Sequence, residues 1–236
     1  MAQTQHFVRA DNSIIEVAWT DRSDGDFHVD RPIGELIERR SAVMAGPWTV
    51  VRQVHGDQVV DASGAAAARD VPLHEADGIV VSLPNLPISV QGADCAPIAF
   101  ITDVGAIGVA HAGWRGLAAG IVEEVSNRLS DMGSSVERAL IGPVICTDCY
   151  EFGQDDLDDV AHALGDDVRA QTATGTPALN MRAGLVAAFD AVGVSDVDFV
   201  GGCPSCDHTG FSHRARSEPE RHCLVAKIVA EDGASG

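Results

Sequence analysis

The sequence predicts one α/β domain over residues 1–236, with helices covering its sheets. Short apolar runs bounded by glycine and proline fill the middle of the chain, a pattern typical of buried strands. From Leu117 the apolar residues instead recur every fourth position, the period of an amphipathic helix. No internal repeat or linker divides the 236 residues, and a composition that is 45% hydrophobic and 22% charged is typical of a globular protein.

The first third of the chain gives the weaker signals. We expect strands over 14–19, 48–54 and 58–61 and a short helix over 34–44, because these stretches are apolar or β-rich between polar segments. Residues 20–31 and 62–76 are polar or of low complexity, and we expect loops there.

The central and C-terminal parts give clearer patterns. Four apolar runs, each closed by a glycine- or proline-containing turn, predict strands over 79–83, 88–91, 97–102 and 106–111. The four-residue spacing predicts a helix over 117–130. Beyond it we expect strands over 139–141 and 197–200 and helices over 155–164 and 181–192, while 224–230 fits a strand or a helix.

The net charge of the chain excludes some classes of binding partner. The net charge is −19, with 35 acidic residues against 16 basic ones, so the surface repels phosphate backbones and anionic membranes. A small-molecule substrate is compatible with this charge. The N-terminus has no apolar segment of a signal peptide, and no run approaches the roughly 18 apolar residues of a membrane span. We therefore expect a cytoplasmic protein whose six cysteines are thiols or metal ligands.

Three reactive side chains each follow an apolar run and lie beside glycine. They are His55 in QVHGD, Cys95 in QGADC and His111 in VAHAGWRG. Two imidazoles and a thiolate suit zinc, and three protein ligands would leave a fourth position open for water or substrate. The alternative is an ordinary pair of structural histidines and an inert buried cysteine.

Other candidates are more ambiguous. Asp94, beside Cys95, is able to orient a ligand, accept a proton or merely cap a turn. Arg115, at the start of a helix, suits an anion or a surface salt bridge. Cys146 with Cys149, and Cys203 with Cys206, form two CxxC pairs that suggest a structural four-cysteine zinc site or two unrelated pairs on loops.

The order of motifs over 36–230 resembles the YfiH-like family. The motifs are QVHGDQVV, ADG, GADCAPIAF, VAHAGWRGLAAGIVE, IGPVICTDCYEFG and FSHR. This family, labelled multicopper polyphenol oxidase or laccase-domain, includes members with purine nucleoside phosphorylase and adenosine deaminase activities. The resemblance implies a layered α/β sandwich with mixed sheets, and His55, Cys95 and His111 as ligands of zinc, with copper less expected.

The resemblance also implies substrate contacts, at Arg39, Arg115, Ser212 and Arg214. Together with Asp94 as an acid–base or ligand-orienting group, Cys95, His111 and Arg115 are then the expected catalytic residues. The chain departs from the family pattern in the segment 20–31 and at Glu38, Pro204 and Ala215. These departures concern the loops that shape a substrate pocket.

The leading hypothesis is a zinc enzyme that cleaves adenosine or inosine with phosphate and deaminates adenosine. Three alternatives remain open. One is a copper-dependent polyphenol oxidase, although the remaining histidines form no HxH pairs. The second is a cysteine-type amidase that edits peptidoglycan precursors, with Cys95 as nucleophile and His111 as base. The third is a zinc-stabilised binding protein without turnover. The sequence predicts no oligomeric state.

Overall fold

Two mixed β-sheets pack against each other and carry helices on their outer faces. The computed structural model describes residues 1–64, 70–72 and 74–229. The first sheet has the strand order β1 (Gln3–Val8), β2 (Ile14–Trp19), β13 (His222–Val229), β6 (Ile88–Gly92) and β3 (Thr49–Val50). The second has the order β12 (Val197–Phe199), β9 (Val136–Ile141), β7 (Ala96–Thr102), β8 (Ile107–Ala112), β5 (Gly78–Val81) and β4 (Val59–Asp61).

The helices complete the layers. They are α1 (Ile33–Val43), α2 (Trp114–Ala119), α3 (Ile121–Asp131), α4 (Gln154–Leu164), α5 (Met181–Ala191) and α6 (His213–Arg216). Helices α2 to α5 cover the outer face of the six-stranded sheet, and the C-terminal end of α1 packs on the five-stranded one. A short hairpin, β10 (Arg169–Gln171) and β11 (Pro177–Leu179), lies beside α4. The predicted α/β sandwich is therefore confirmed.

Strand β7 shows why the central sequence is apolar without interruption. Its side chains alternate between two cores: Ile98 and Phe100 face the helices, while Ala99 and Ile101 face the other sheet. Because both faces of the strand are buried, neither set of alternate positions is polar. This double burial fixes the strand ends, and with them the loops that carry the reactive side chains.

The predicted central strands agree with the structure to within about two residues at each end, and 222–229 resolves the open choice in favour of a strand. Residue 230 lies outside the described residues. The predicted helix over 117–130 was wrong in one respect, since Gly120, at φ 98°, separates α2 from α3. The predicted strand over 48–54 was too long, because only 49–50 pair with β6. Strand β1 was missed, since it is an exposed, polar edge strand.

The described helices include none of the length and apolar character that a membrane crossing requires.

Candidate metal centre and its cleft

The three predicted metal ligands come together in space. The ligand atoms of His55, Cys95 and His111 all lie within 4.8 Å of one another. The two imidazole rings meet edge to face, with centroids 4.8 Å apart. His111 is 3% exposed, Cys95 is half-buried and His55 is exposed to the cleft. The group therefore has a closed inner side and an open outer side.

Chain crossings between the two sheets bring these residues together. Cys95 lies in the short connection from β6 in one sheet to β7 in the other, and His55 lies between β3 and β4, which also belong to different sheets. His111, near the end of β8, is paired with Pro97 on β7, two residues after Cys95. Residues far apart in the sequence thus meet at one edge of the sandwich because both connections pass over the end of β8.

The AGWRG motif supplies the space that this convergence needs. A Cβ atom on Gly113 would lie 2.7 Å from Cδ2 of His55 and 3.2 Å from Sγ of Cys95. A Cβ atom on Gly116 would lie 2.6 Å from the carbonyl oxygen of Gly56. Since real side chains do not approach so closely, glycine at 113 and 116 lets α2 start directly against the ligand loop.

Asp77 is the site residue that the sequence analysis missed, although it lies in the ADG motif. Its fully buried carboxylate contacts Nδ1 of His111 at 2.8 Å. It also accepts hydrogen bonds from the backbone N–H groups of Val54, His55 and Gly56, at 3.1, 3.0 and 2.7 Å. These bonds stabilise the left-handed backbone of His55, whose φ is 62°. One carboxylate thus positions two of the three ligands.

The charge state of Asp77 fixes the His111 tautomer. Burial alone would raise the pKa of Asp77, but the bonds from His111 and from the backbone of Gly56 and Val54 outweigh it and lower that pKa. An ionised carboxylate only accepts hydrogen bonds, so Nδ1 of His111 carries the proton. Nε2 is then the nitrogen on the side of Cys95 and His55, and it becomes free to bind a metal when the imidazolium loses its second proton.

Cys95 and His111 form a buried ion pair. Burial would raise the pKa of Cys95, but the positive charge of His111 and hydrogen bonds from both imidazoles lower it to about 6. Burial would lower the pKa of His111, but the Cys95 thiolate and the bond to Asp77 raise it to about 9. The protein therefore favours the thiolate, which is the form of cysteine that binds metals and acts as a nucleophile.

The donor set fits a zinc ion. Zinc binds imidazole nitrogen at about 2.0 Å and thiolate sulfur at about 2.3 Å, so the ligand atoms of a tetrahedral site lie about 3.3–3.8 Å apart. Three ligand atoms within 4.8 Å of one another need only a small contraction to reach that geometry. The exposed side of His55 leaves room for a fourth ligand from the cleft.

The metal centre forms the floor of a cleft of about 400 Å³. Beyond His55, Cys95 and His111, its wall includes Asp94, the buried ring of Tyr150 and three arginines, Arg52, Arg214 and Arg221. The other lining residues are His28, Val29, Asp30, Val51, Gln53, Gln91, Gly92, Ala93 and His213. Arg214 lies over the ring of Tyr150, with its guanidinium carbon 5.0 Å from the ring centroid. Arg52, by contrast, is paired with Asp30, and Arg221 donates to backbone carbonyls.

Asp94 connects the metal centre to the C-terminal segment. Its Oδ1 accepts hydrogen bonds from the hydroxyls of Ser205 and Ser212, at 3.0 and 2.8 Å. Its Oδ2 accepts from the backbone N–H of Arg214 at 2.7 Å. Asp94 itself has a φ of 94°, a strained conformation that these bonds stabilise. Both carboxylate oxygens thus hold the segment that carries Arg214.

The four predicted substrate contacts are not all brought together. Arg214 lines the cleft, whereas Ser212 is fully buried beneath it against Asp94. Arg39 bonds the carbonyl of Asp26 and the carboxylate of Glu35, and is not among the cleft residues. Arg115 is exposed, with its guanidinium 4.1 Å above the Trp114 ring, and also lies outside the cleft. Their roles in substrate binding stay predictions.

Comparisons with known proteins identify the family to which this chain belongs. The family model described as multi-copper polyphenol oxidoreductase laccase matches residues 20–228. A relative named adenosine deaminase RL5, from an unknown prokaryotic organism, is 34% identical over 68% of this chain and 66% of its own length. Purine nucleoside phosphorylase Rv2149c of Mycobacterium tuberculosis is 35% identical over 70% of this chain and 65% of its own length. The matches to these two relatives thus span about two thirds of each relative.

A longer match and two solved structures extend the comparison. A purine nucleoside phosphorylase of Deinococcus radiodurans is 31% identical over 92% of this chain and 83% of its own length. The crystal structure of Neisseria meningitidis protein NMB0706 covers 97% of this chain and 99% of its own, with a TM-score of 0.77 and 23% identity. That of Bacillus licheniformis YfiH covers 94% and 98%, with a TM-score of 0.77 and 24% identity. The chain therefore belongs to the YfiH-like family, the multi-copper polyphenol oxidoreductase laccase family of the matching model.

Proposed function

We propose that this protein is a zinc-dependent purine nucleoside enzyme that cleaves adenosine and inosine with phosphate and deaminates adenosine. The observation that carries the proposal is the His55–Cys95–His111 group in a cleft that is also lined by Tyr150 and by Arg214, a cation with no carboxylate partner among the described residues. Relatives at 31–35% identity bear the names of these two activities.

The metal and its ligands supply the reactive centre. When bound, zinc provides Lewis acidity and activates water near neutral pH. Asp77 accepts the Nδ1 proton of His111 and so leaves Nε2 as the nitrogen that would hold the ion. The buried N–H bonds to Asp77 keep His55 in place while its exposed edge faces the substrate. His55, Cys95 and His111 would thus hold the ion from one side, and its other side would face the cleft.

The wall of the cleft suits a nucleoside and an anion. The Tyr150 ring is buried with Arg214 over one face, so a purine base would meet this wall through the planar Arg214 guanidinium, on which it is able to stack. Burial raises the pKa of Tyr150 well above its usual value, so its hydroxyl stays protonated and is able to donate a hydrogen bond. Arg214 makes no ion pair with a carboxylate of the described residues, and its charge is therefore available to phosphate. Asp94 contributes by fixing the backbone of Arg214.

The zinc assignment is preferred over copper on the donor set. Within the described chain, the only groups of three or more potential ligands are this His-Cys-His triad and one cluster of four cysteines. Multicopper oxidase chemistry requires several histidine-rich sites close together, and no such arrangement occurs among these residues. Phenol turnover by copper-loaded protein would favour the oxidase alternative instead.

Product analysis tests the proposal directly. Purified zinc-loaded protein is incubated with adenosine or inosine, with and without phosphate, and the products are separated by chromatography. We expect adenine or hypoxanthine only when phosphate is present, and inosine from adenosine in either case. His111→Ala should abolish all three products, whereas Arg128→Gln, which alters an exposed pair on α3, should not. Absence of every product from the zinc-loaded protein would exclude this function.

A second candidate is favoured by the contact chain Cys95–His111–Asp77. A thiolate, an imidazolium and an orienting carboxylate form the arrangement that cysteine hydrolases use. In that case the Cys95 thiolate of metal-free protein would attack an amide carbonyl, the amine would leave with the proton of the His111 imidazolium, and water would hydrolyse the resulting thioester. Amide hydrolysis that persists after zinc removal and stops on alkylation of Cys95 would favour it over the zinc enzyme.

A further inference from the structure

A second cluster of metal-binding side chains lies away from the triad. Cys146, Cys149, Cys203 and Cys206 come from two segments about 55 residues apart in sequence, and their sulfur atoms all lie within 4.8 Å of one another. Sγ of Cys206 is 3.3 Å from Sγ of both Cys146 and Cys149. The long gap between the CxxC pairs had left their convergence open, and the fold brings them together.

We propose that these four cysteines bind a structural zinc ion. A tetrahedral tetrathiolate site with Zn–S bonds of about 2.3 Å places its sulfur atoms about 3.8 Å apart. The two closest sulfur pairs lie slightly nearer than this, and the cluster as a whole is no wider than 4.8 Å. Four cysteine thiolates form a closed coordination shell, which is typical of structural rather than catalytic zinc.

Each CxxC segment forms a hydrogen-bonded turn that places its two cysteines on the same side of the loop. In each segment the N–H of the second cysteine donates to the carbonyl of the first, at 3.1 Å in Cys146–Cys149 and at 3.1 Å in Cys203–Cys206. The N–H of Cys146 also donates to Sγ of Cys203 at 3.2 Å, across the two segments. Such N–H···S bonds offset the charge of bound thiolates and orient them.

Two arginines lie against the second CxxC loop, where four thiolates would add negative charge. Arg216 donates to the carbonyls of Pro204 and Gly210, at 2.9 and 2.8 Å, and so lies against the second CxxC loop. Arg22 donates to the carbonyls of His208 and Gly210 in the same loop. Both guanidinium groups also pair with the Glu218 carboxylate, so together they add about one net positive charge beside this loop.

An ion in the four-cysteine cluster would stabilise one wall of the cleft. Cys149 directly precedes Tyr150 on the cleft wall, and Cys206 directly follows Ser205, which bonds Asp94. A metal that joins the two loops would therefore fix the wall of the cleft that carries Tyr150 and Arg214. This inference does not depend on the proposed reaction, because it concerns a second ion with its own ligands.

Metal analysis of reduced, zinc-loaded protein tests the inference. We expect two zinc ions per chain in the unaltered protein, one in Cys206→Ser and one in His111→Ala. Cys223→Ala, which changes a cysteine buried in the five-stranded sheet, should retain both ions. One zinc per chain in the unaltered protein, unchanged by Cys206→Ser, would overturn the inference.

Cobalt substitution provides a readout that needs no change to the four cysteines. In His111→Ala loaded with cobalt, the remaining ion should show the strong sulfur-to-cobalt charge-transfer absorption and the tetrahedral ligand-field bands of a tetrathiolate. Loss of these bands when Cys206→Ser is added would assign them to this cluster. Spectra without these bands, or iron in place of zinc after expression in zinc-containing medium, would contradict a zinc site.

Discussion

The Asp77 carboxylate lies 2.8 Å from Nδ1 of His111 and also holds the backbone of the loop that carries His55. A single buried acid thus orients two metal ligands from different parts of the chain. Because the aspartate accepts all of these bonds, its charge sets the imidazole tautomer and its position sets the loop. The arrangement of the His55–Cys95–His111 group therefore depends on a residue outside that group.

We expect Asp77→Asn to weaken zinc binding by about 10- to 100-fold, because the amide no longer fixes the His111 tautomer or accepts all of the backbone bonds. Competition with a chromophoric chelator measures this affinity. Asp57→Asn, in the same loop, is the matched control and should bind zinc as the unaltered protein does. Equal affinities for the two variants would refute the positioning role of Asp77.

Gly113→Ala tests the close approach of helix α2 to the ligands. The added methyl would lie 2.7 Å from the His55 ring. The shifts that remove such an overlap typically cost about 1–3 kcal/mol of free energy. Zinc affinity should therefore fall roughly tenfold or more.

Gly153→Ala is a suitable control for this change. Gly153 also precedes a helix and has a φ of −67° against −74° for Gly113, and a methyl group added there would meet nothing within 4 Å. This variant should keep both zinc affinity and fold. Unaltered affinity in Gly113→Ala would show that the ligand loop is able to move aside.

Alkylation of metal-free protein tests the Cys95–His111 ion pair. Since only the thiolate reacts, the rate at Cys95 should rise with pH around a midpoint of about 6, the pKa of its thiol. Peptide mass spectrometry separates Cys95 from the other cysteines. In His111→Ala the midpoint should move upward toward that of an ordinary thiol, whereas His213→Ala should leave it in place. A midpoint near that of an ordinary thiol in the unaltered protein would exclude the ion pair.

The sequence predicted those site residues that have a distinctive local pattern and missed those that become neighbours only in the folded protein. Residues beside glycine at the ends of apolar runs, such as Cys95, were recognisable because buried strands impose a strong composition. Asp77 lies in the ADG motif, but that motif does not indicate a partner, and His55 and His111 become neighbours of Asp77 only when the two sheets pack. The sequence likewise did not show which arginine lines the cleft, because only the fold places Arg214 there and leaves Arg115 exposed outside it.

The limits at the level of the fold have similar physical causes. The helix break at Gly120 was missed because Leu117, Ile121, Val125 and Leu129 keep a four-residue spacing across it. Strand β1 was missed because most of its side chains are exposed and polar. The CxxC pairs were recognised, but spacing alone did not indicate that two distant loops meet.

His222 makes stability depend on pH. It is fully buried, and this burial lowers its pKa to about 4. In the unfolded chain a histidine takes up a proton near pH 6.5, so the unfolded state binds more protons between these values. The resulting stability is present above pH 6.5 and lost as pH falls toward 4, on the order of 3 kcal/mol in total.

Chemical denaturation of the unaltered protein and His222→Phe at several pH values measures this contribution. The difference in the free energy of unfolding between the two proteins should change between pH 6.5 and 4. His162→Gln, which alters an exposed histidine on α4, should follow the unaltered protein. Parallel curves for the unaltered protein and His222→Phe would remove His222 as the cause.

We propose that His55, Cys95 and His111 hold a metal ion in a cleft that binds a nucleoside. Anomalous diffraction at the zinc edge, from crystals of zinc-loaded protein soaked with inosine and phosphate, tests it most directly. We expect an anomalous peak about 2.0–2.3 Å from the three ligand atoms, with nucleoside density against Tyr150 and Arg214. A cleft that holds nucleoside while no anomalous peak lies among those three side chains would contradict it.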